Sequence, residues 1–333
     1  MKFGLWFEPE MVNKDSDLYR THPDWILQVP KRNVSHGRNQ YVLDFSRKEV
    51  VDHIHEMMAE ILRKSKVSYV KWDMNRSISE CYSNTLLPEQ QGEVFHRYIL
   101  GVYNLYERLT SEFPEILFES CASGGGRFDA GMLYYAPQCW ASDDTDAIER
   151  LKIQYGTSLC YPISSIGSHV SVIPNHQVFR NTPLHTRANV AYFGTFGYEL
   201  DLNKLNDAEL SQVKEQITFM KKYRQVIQSG TFYRLRSPFE TNETIWEVVS
   251  EDKKTVLVGW YRTLNQVNGT FDRIQLMGLA PDFLYTNEQN GTKNYGDELM
   301  NLGLIISDVT AGEVTGDDIP CTDFESRIYL LEA

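Results

Sequence analysis

The chain repeats one pattern, a short apolar strand followed by a loop and then usually a helix. Strand candidates rich in β-branched and aromatic residues stand near positions 3, 68, 117, 139, 165 and 194. Capping-box sequences that begin at Ser46, Asp146 and Asn206 predict three helix starts. This alternation is typical of a parallel sheet or barrel. In such folds ligands bind at the carboxyl ends of the strands, so the residues there are candidates for function.

The pattern changes after about residue 235. Short strand candidates separated by turns follow at 244–249, 255–261, 273–276 and 327–330. These are typical of a small antiparallel β domain. The sequence therefore predicts two domains, an α/β domain over residues 1–234 and an antiparallel β domain over residues 235–333.

Composition excludes several classes of protein. The 333 residues are 42% hydrophobic, enough for a sizeable core, and the net charge of −12 argues against binding to nucleic acid or to an anionic membrane surface. The five cysteines have no regular spacing, which favours free thiols in a reducing compartment. We find no signal-peptide pattern and no apolar run near the roughly 20 residues of a membrane span. We therefore expect a soluble, cytoplasmic protein.

Residues 71–76, Lys-Trp-Asp-Met-Asn-Arg, follow directly on a predicted buried strand. Side chains alternate faces along a strand, so Lys71 and Asp73 should point one way and Trp72 the other. Asp73 thus has the position that a catalytic carboxylate needs. Taken alone, an aspartate at a strand end is more often a cap or turn residue. Lys71 could likewise serve only as an ion-pair partner that keeps Asp73 ionised.

A second carboxylate, Asp143, ends another strand candidate. Trp6, Asp73, Cys121 and Asp143 all end strands in one series, and a barrel brings such ends to one mouth. Two carboxylates on either side of a sugar are the minimal apparatus for glycoside cleavage. One protonates the leaving oxygen, and the other attacks the anomeric carbon or activates water. The shared strand-end position of these residues therefore makes glycoside cleavage a candidate reaction.

Other side chains suit a sugar ligand. Trp6 offers a flat apolar face to a pyranose ring, and Arg38 and Lys71 can donate to sugar hydroxyls. The glycine run 124–126 fits neither the P-loop nor the dinucleotide fingerprint, and we interpret it as a tight turn that lets backbone approach a ligand. The histidines lack the spacing of metal ligands, so we expect no metal site.

Six segments together resemble the bacterial α-galactosidases (melibiases) of glycoside hydrolase family 36. They are Gly-Leu-Trp-Phe-Glu-Pro-Glu-Met at 4–11, residues 71–76, Glu-Ser-Cys-Ala-Ser-Gly-Gly-Gly-Arg-Phe-Asp at 119–129, Ser-Asp-Asp-Thr-Asp at 142–146, Gly-Ser-His-Val-Ser at 167–171 and Gly-Thr-Phe-Gly-Tyr-Glu-Leu-Asp at 194–201. The resemblance spans essentially the whole chain. It implies a (β/α)8 TIM-type barrel, with about six of its eight strands present, followed by a C-terminal antiparallel β-sandwich domain.

The resemblance also assigns roles. The aspartate of the Lys-Trp-Asp motif, here Asp73, would be the nucleophile, and the first aspartate of the Ser-Asp-Asp-Thr-Asp motif, here Asp143, the acid/base. The residues that would line the galactose pocket are Trp6, Arg38, Lys71, Cys121 and Gly124. The implied reaction is retaining hydrolysis of terminal α-linked galactose from oligosaccharides such as melibiose and raffinose, with no cofactor. For the full-length enzyme we expect a homo-oligomer.

One departure from the family pattern concerns the start of the chain. Members of that family carry an amino-terminal β-sandwich and then eight barrel strands, whereas this chain begins at the third strand. It lacks the Asp-Asp-Gly-Trp motif whose aspartates hold galactose hydroxyls in the family. We therefore expect part of a longer enzyme that is inactive alone. Two alternatives stay open, an α-galactosyl transferase of the raffinose-synthase type and an inactive, truncated sugar-binding product.

Overall fold

The computed structural model describes residues 1–266, 273–306 and 323–333. They group into two compact units, Met1–Asp143 and Asp144–Ala333. The predicted domain boundary at residue 234 stays a prediction. Four of the five cysteines lie in the described residues and are free thiols, and Cys321 lies outside them.

The first unit is built on four parallel strands in the order β1-β4-β5-β6. Its strands are β1 (Phe3–Phe7), β2 (Met11–Asn13), β3 (Gln40–Val42), β4 (Val67–Trp72), β5 (Leu117–Ser120) and β6 (Gln138–Trp140). Its helices are α1 (Asp17–Thr21), α2 (Lys48–Lys64), α3 (Val94–Glu112) and α4 (Ala130–Tyr135). The four predicted strands near positions 3, 68, 117 and 139 are confirmed. The segment before α2 contains α1 and an antiparallel pair of β2 with β3.

The register of the sheet sets the carboxyl ends of its strands level with one another. Trp6 on β1 lies opposite Lys71 on β4, which lies opposite Glu119 on β5. Beyond the strands, the amide of Asp73 donates to the carbonyl of Phe7 at 2.8 Å, which continues the ladder. Residues that follow β1 and β4 therefore meet at one edge of the sheet.

The core of the first unit lies between the sheet and its helices. Trp72 is fully buried and stacks on Tyr106 of α3, with ring centroids 3.9 Å apart. The apolar stripes of α2 and α3 supply further core residues, among them Ile54, Met58 and Val102. Burial of Trp72 confirms the predicted alternation, which leaves Lys71 and Asp73 on the opposite face of β4.

The second unit contains a parallel pair and an antiparallel sheet. The pair joins β7 (Ile166–Ser171) and β8 (Thr195–Glu199), and the six-stranded sheet has the order β14-β13-β16-β11-β10-β9. The remaining strands are β9 (Thr231–Arg236), β10 (Glu243–Val249), β11 (Thr255–Arg262), β12 (Arg273–Ile274), β13 (Leu284–Asn287), β14 (Lys293–Tyr295), β15 (Leu304–Ile305) and β16 (Glu325–Glu332). The helices are α5 (Ala147–Ser158), α6 (Leu184–Ala191), α7 (Asp207–Ser229) and α8 (Gly296–Asn301).

Two of the three predicted helix caps are confirmed. The side chain of Asp146 accepts from the amides at the start of α5, and Asn206 forms a full capping box with Glu209 on α7. The third is wrong, because α2 begins with Arg47 at the N-cap position. The Ser46 hydroxyl instead donates to Asp44 Oδ1 at 2.5 Å.

Candidate active site

Asp73 follows directly on β4 and is 7% exposed. Its Oδ2 accepts hydrogen bonds from Trp6 Nε1 at 3.0 Å and from Asn75 Nδ2 at 2.7 Å. Its Oδ1 accepts from the backbone amide of Met74 at 2.9 Å. Donors on both oxygens fix the orientation of the carboxylate and stabilise its ionised form.

The electrostatics of the site favour ionised Asp73. Burial pushes its pKa up, but hydrogen bonds from the Cys121 thiol, Asn75 and Trp6, together with the charge of Lys71, outweigh burial and hold the pKa below its ordinary value. Burial and the neighbouring Asp73 carboxylate raise the pKa of the Cys121 thiol well above its usual range. The thiol therefore stays protonated and acts as a donor, while Asp73 is a carboxylate at neutral pH.

Lys71 lies between an anion and an aromatic ring. Its Nζ is 3.5 Å from Glu119 Oε1 and 4.8 Å from the centroid of the Trp140 ring. Glu119 is buried and also accepts a hydrogen bond from the Tyr69 hydroxyl. The ammonium therefore has an ion-pair partner in Glu119 and also acts through its charge on Asp73.

Asp143 lies just beyond β6, is exposed, and accepts from Trp140 Nε1 at 3.1 Å. The loop after β5 packs against its backbone at Gly124, whose φ is +81°. A Cβ at Gly124 would lie 2.7 Å from Ser142 Cα and 2.8 Å from the amide nitrogen of Asp143. Only glycine fits such an approach. Since the Cys121 thiol in the same loop donates to Asp73, this loop contacts the carboxylate of Asp73 and the backbone of Asp143.

Arg38 reaches the site through Glu8, which follows β1. Its Nη1 donates to Glu8 Oε1 at 3.2 Å. The same oxygen accepts from Asn75 Nδ2 at 2.8 Å, and Glu8 Oε2 accepts from Gln40 Nε2 at 3.0 Å. Glu8 thus connects the loop that carries Arg38 to the residues around the nucleophile candidate.

Glu10 joins β4, α3 and the end of the loop after β5. It is fully buried and accepts from Trp72 Nε1 at 2.8 Å, from the Tyr98 hydroxyl at 2.6 Å, and from both terminal nitrogens of Arg127 at 2.8 and 2.9 Å. Burial lowers the pKa of Arg127, but the charge of Glu10 outweighs burial and raises it. The pair of Glu10 with Arg127 fixes the end of the glycine loop, residues 121–127, against β4 and α3.

The structure brings Trp6, Lys71 and Cys121 to Asp73, and it places Gly124 on the backbone at Asp143. The assignment of roles to these residues stays a prediction. Sequence reasoning missed the contacts of Glu8 and Asn75. A usable signal existed, because Glu8 stands two residues after Trp6 and Asn75 two after Asp73, so each shares a face with a candidate if the strand alternation continues.

Among the described residues, no group of three or more His, Cys, Asp or Glu side chains could hold a metal ion. No helix in residues 1–266, 273–306 and 323–333 has both the length and the apolar character needed to cross a membrane.

Comparison with known proteins agrees with the fold. One solved structure, the α-galactosidase AgaA of Geobacillus stearothermophilus with raffinose, has 50% sequence identity and a TM-score of 0.94 and covers 100% of this chain. The α-galactosidase from Lactobacillus brevis has 50% identity and a TM-score of 0.95, again over 100% of this chain. The chain covers 45% and 44% of those two chains.

These matches confirm the predicted class of fold, about six of the eight strands of a (β/α)8 barrel followed by a C-terminal antiparallel β domain. The Melibiase family model matches residues 1–230, and the model of the glycosyl hydrolase family 36 C-terminal domain matches residues 243–331. The chain therefore belongs to the melibiase family of glycoside hydrolase family 36.

The curated relatives are longer than this chain. The α-galactosidase AgaA of Geobacillus stearothermophilus is 54% identical over 306 residues, which is 92% of this chain and 42% of the relative. The α-galactosidase Mel36A of Lactobacillus acidophilus is 49% identical over 333 residues, 100% of this chain and 44% of the relative. The chain thus spans less than half the length of these relatives.

Proposed function

We propose that the chain is the catalytic part of an α-galactosidase that releases terminal α-linked galactose from oligosaccharides with retention of configuration. The observation that carries the proposal is the state of Asp73. It is a nearly buried carboxylate at a strand end, with donors on both oxygens and a lysine beside it, which keep it ionised. An ionised, oriented carboxylate is what attack on an anomeric carbon requires.

In this mechanism Asp73 attacks the anomeric carbon while the bond to the leaving oxygen breaks. Asp143 gives its proton to that oxygen, and a covalent β-galactosyl ester of Asp73 forms. Asp143 then takes a proton from water, the water oxygen attacks the same carbon, and the ester bond to Asp73 breaks. Two inversions return galactose in the α configuration.

The relatives support these roles. Structures of the Geobacillus α-galactosidase with raffinose and with stachyose each carry a different substituted aspartate. The two substituted positions are 70 residues apart, as are Asp73 and Asp143. The ligands of those structures support α-galactosides of the raffinose series as substrates here. The pocket that would bind galactose comprises Trp6, Arg38, Lys71, Cys121 and Gly124.

The setting of the enzyme is part of the same proposal. Free thiols at four cysteines fit the cytoplasm, and a net charge of −12 fits a protein that binds no nucleic acid. That the full-length enzyme is a homo-oligomer stays a prediction.

Substitution of Asp73 by asparagine tests the mechanism. Activity is measured on residues 1–333, joined to the remaining part of a longer relative if the chain alone shows no turnover. Asp73→Asn should lower kcat for an aryl α-galactoside by several orders of magnitude, on the scale of about 10⁴-fold or more. Azide should restore turnover and give the β-galactosyl azide, because the azide replaces the missing nucleophile.

The matched control is Asp282→Asn, at an exposed aspartate of the second unit, which should leave kcat unchanged. Recovery of the α-azide would assign an inverting route and a different role to Asp73. Galactosylated sugar as the main product with a sugar acceptor would favour the transferase.

A further inference from the structure

Glu8 is a nearly buried carboxylate that the proposed reaction does not use. Its side chain is 5% exposed, and it accepts hydrogen bonds from Asn75, Arg38 and Gln40. A buried charge is tolerated only where partners compensate for lost hydration. The donors come from the loop after β4 and from the segment around β3, so one carboxylate ties two separate segments to the end of β1.

The amide of Asn75 is oriented by two anions. Its Nδ2 donates to Glu8 Oε1 at 2.8 Å and to Asp73 Oδ2 at 2.7 Å. An amide nitrogen has two hydrogens, and the flipped amide would set its oxygen against both carboxylates. Glu8 therefore determines which way the Asn75 N–H group points at Asp73.

The backbone at Arg38 is held in an unfavourable conformation. Arg38 has φ +54° and Asn39 φ +61°, the left-handed region that residues other than glycine seldom adopt. Contacts must hold such a turn, and the ion pair with Glu8 is one of them. A guanidinium has five donors, so the bond to Glu8 leaves capacity for sugar hydroxyls.

We propose that Glu8 is a positioning residue that aligns the nucleophile with the bound galactose. Through Asn75 it sets the orientation of Asp73, and through Arg38 it sets a group that holds the sugar. This inference rests on the proposed function, and it adds a residue to that function which touches neither the substrate nor the reacting atoms.

Two substitutions of Glu8 differ in what they remove. Glu8→Ala deletes all three contacts and should lower kcat/KM by about 100-fold, with a lower kcat and a higher KM, because a displacement near 1 Å suffices for such a loss. Glu8→Gln should cost about tenfold or less, mainly in KM. Among the described residues Gln40 Oε1 has no hydrogen-bond partner. The side-chain amide of Gln40 can therefore rotate by half a turn, so that this oxygen accepts a hydrogen bond from the amide N–H of the new glutamine at position 8. The control is Glu56→Ala, at an exposed residue of α2.

A double-mutant cycle separates positioning from a purely structural role. If Glu8 acts on Asp73 through Asn75, then Glu8→Ala in an Asn75→Ala background should change kcat by less than about threefold. A structural role would instead give losses in kcat that multiply, together with a fall in Tm in both backgrounds. Should Glu8→Ala not fold, Glu8→Asp replaces it in the cycle, because the shorter side chain withdraws the carboxylate from Asn75 and keeps the charge.

The outcomes distinguish this inference from the proposed function. Two results with an active unsubstituted enzyme would show that the positioning role is wrong while the function stands. In one, kcat/KM of Glu8→Ala equals that of Glu56→Ala within about twofold. In the other, the losses in kcat caused by Glu8→Ala and Asn75→Ala multiply in the double variant. If the unsubstituted chain, joined to the remaining part of a longer relative, folds and hydrolyses no α-galactoside, the function itself fails, and the role of Glu8 fails with it.

Discussion

Trp6 donates its indole N–H to Oδ2 of Asp73 at 3.0 Å, across the pair that β1 forms with β4. The indole is half-exposed, so the ring can offer its face to a ligand while its nitrogen holds the carboxylate. One side chain thus combines an apolar surface with a bond that lowers the pKa of Asp73.

Trp6→Phe keeps an aromatic face and removes the donor. Since the indole bond lowers the pKa of Asp73, its loss should raise that pKa, and the acidic limb of the kcat/KM profile should move to higher pH. The measurement is the pH dependence of kcat/KM for an aryl α-galactoside. Trp25→Phe is the control, since Trp25 is buried against His22 rather than at the site. Identical acidic limbs in both variants would contradict the effect of Trp6 on Asp73.

Gly124→Ala places a Cβ 2.8 Å from the backbone of Asp143 and also strains a positive φ. Gly291→Ala is a matched control, because Gly291 has φ +72° and nothing within 4 Å of the added Cβ. Strain alone should cost Gly291→Ala about 1 kcal/mol of unfolding free energy. Gly124→Ala should cost more and should also reduce kcat at least tenfold. Equal stability and equal activity would show that the approach to Asp143 is unimportant.

Asp143→Ala should affect substrates according to their leaving groups. Proton donation matters most when the leaving oxygen is strongly basic, so kcat/KM should fall by about 10²–10⁴-fold for natural α-galactosides and far less for activated aryl α-galactosides. Asp144→Asn, one residue on, should change the two substrate classes equally. If Asp143→Ala lowers kcat/KM equally for natural and for activated substrates, the acid/base assignment is wrong.

Glu247 on β10 should make the stability of the second unit depend on pH. It is fully buried, and burial raises its pKa to about 8 although the amide of Met277 donates to it at 2.9 Å. In the unfolded chain the Glu247 carboxyl releases its proton near the ordinary pKa of about 4.3. Between roughly pH 4 and pH 8 the folded protein therefore holds a proton that the unfolded chain has lost. The free energy of unfolding should therefore fall as pH rises through that window.

Glu247→Gln removes this titration. Urea unfolding at pH 5 and pH 8 should show a smaller loss of stability with rising pH in the variant than in the unsubstituted protein. Glu251→Gln, at an exposed residue, should leave the original pH dependence in place. Parallel pH dependence in all three proteins would mean that Glu247 does not retain its proton in the folded state.

Residues 1–333 expressed alone should be inactive. β1 is an edge strand of the sheet in the first unit, and Phe3 and Trp6 on it are 57% and 50% exposed. Unpaired edges and uncovered apolar side chains favour aggregation. We expect binding of a dye for apolar surface and no hydrolysis of an aryl α-galactoside, both reversed by supplying the remaining part of a longer relative. A monodisperse, active preparation of these 333 residues would contradict this.

Much of the barrel could be predicted from local pattern. β-Branched and aromatic runs gave the strands, and period-two alternation gave the opposite faces of Trp72 and Asp73. Capping was predictable where the side chain accepts from the first helix amides as the local motif requires, as at Asn206. At Ser46 the prediction failed because its hydroxyl donates to Asp44, and Arg47 pairs with Glu49. Such local competition depends on the fold of the preceding loop.

The supporting contacts of the site could not be predicted in this way. Glu8 and Asn75 are 67 residues apart, and their hydrogen bond depends on the parallel register of β1 with β4. Arg38 lies in a turn with positive φ that no common turn signal at that residue indicates. Sequence pattern could propose these residue types near the site, but only the three-dimensional register shows which carboxylate each one contacts.

Glu10 couples the opening of the glycine loop to that of β4 and α3. Its four hydrogen bonds come from β4, α3 and the glycine loop, segments far apart in sequence. Withdrawal of Arg127 would leave an uncompensated charge in the interior, which typically costs about 3–5 kcal/mol. The glycine loop therefore cannot fray independently. In amide hydrogen exchange, residues 126–129 should become labile only together with the amino-terminal part of α3, as one cooperative unit with β4, which Asp73 follows.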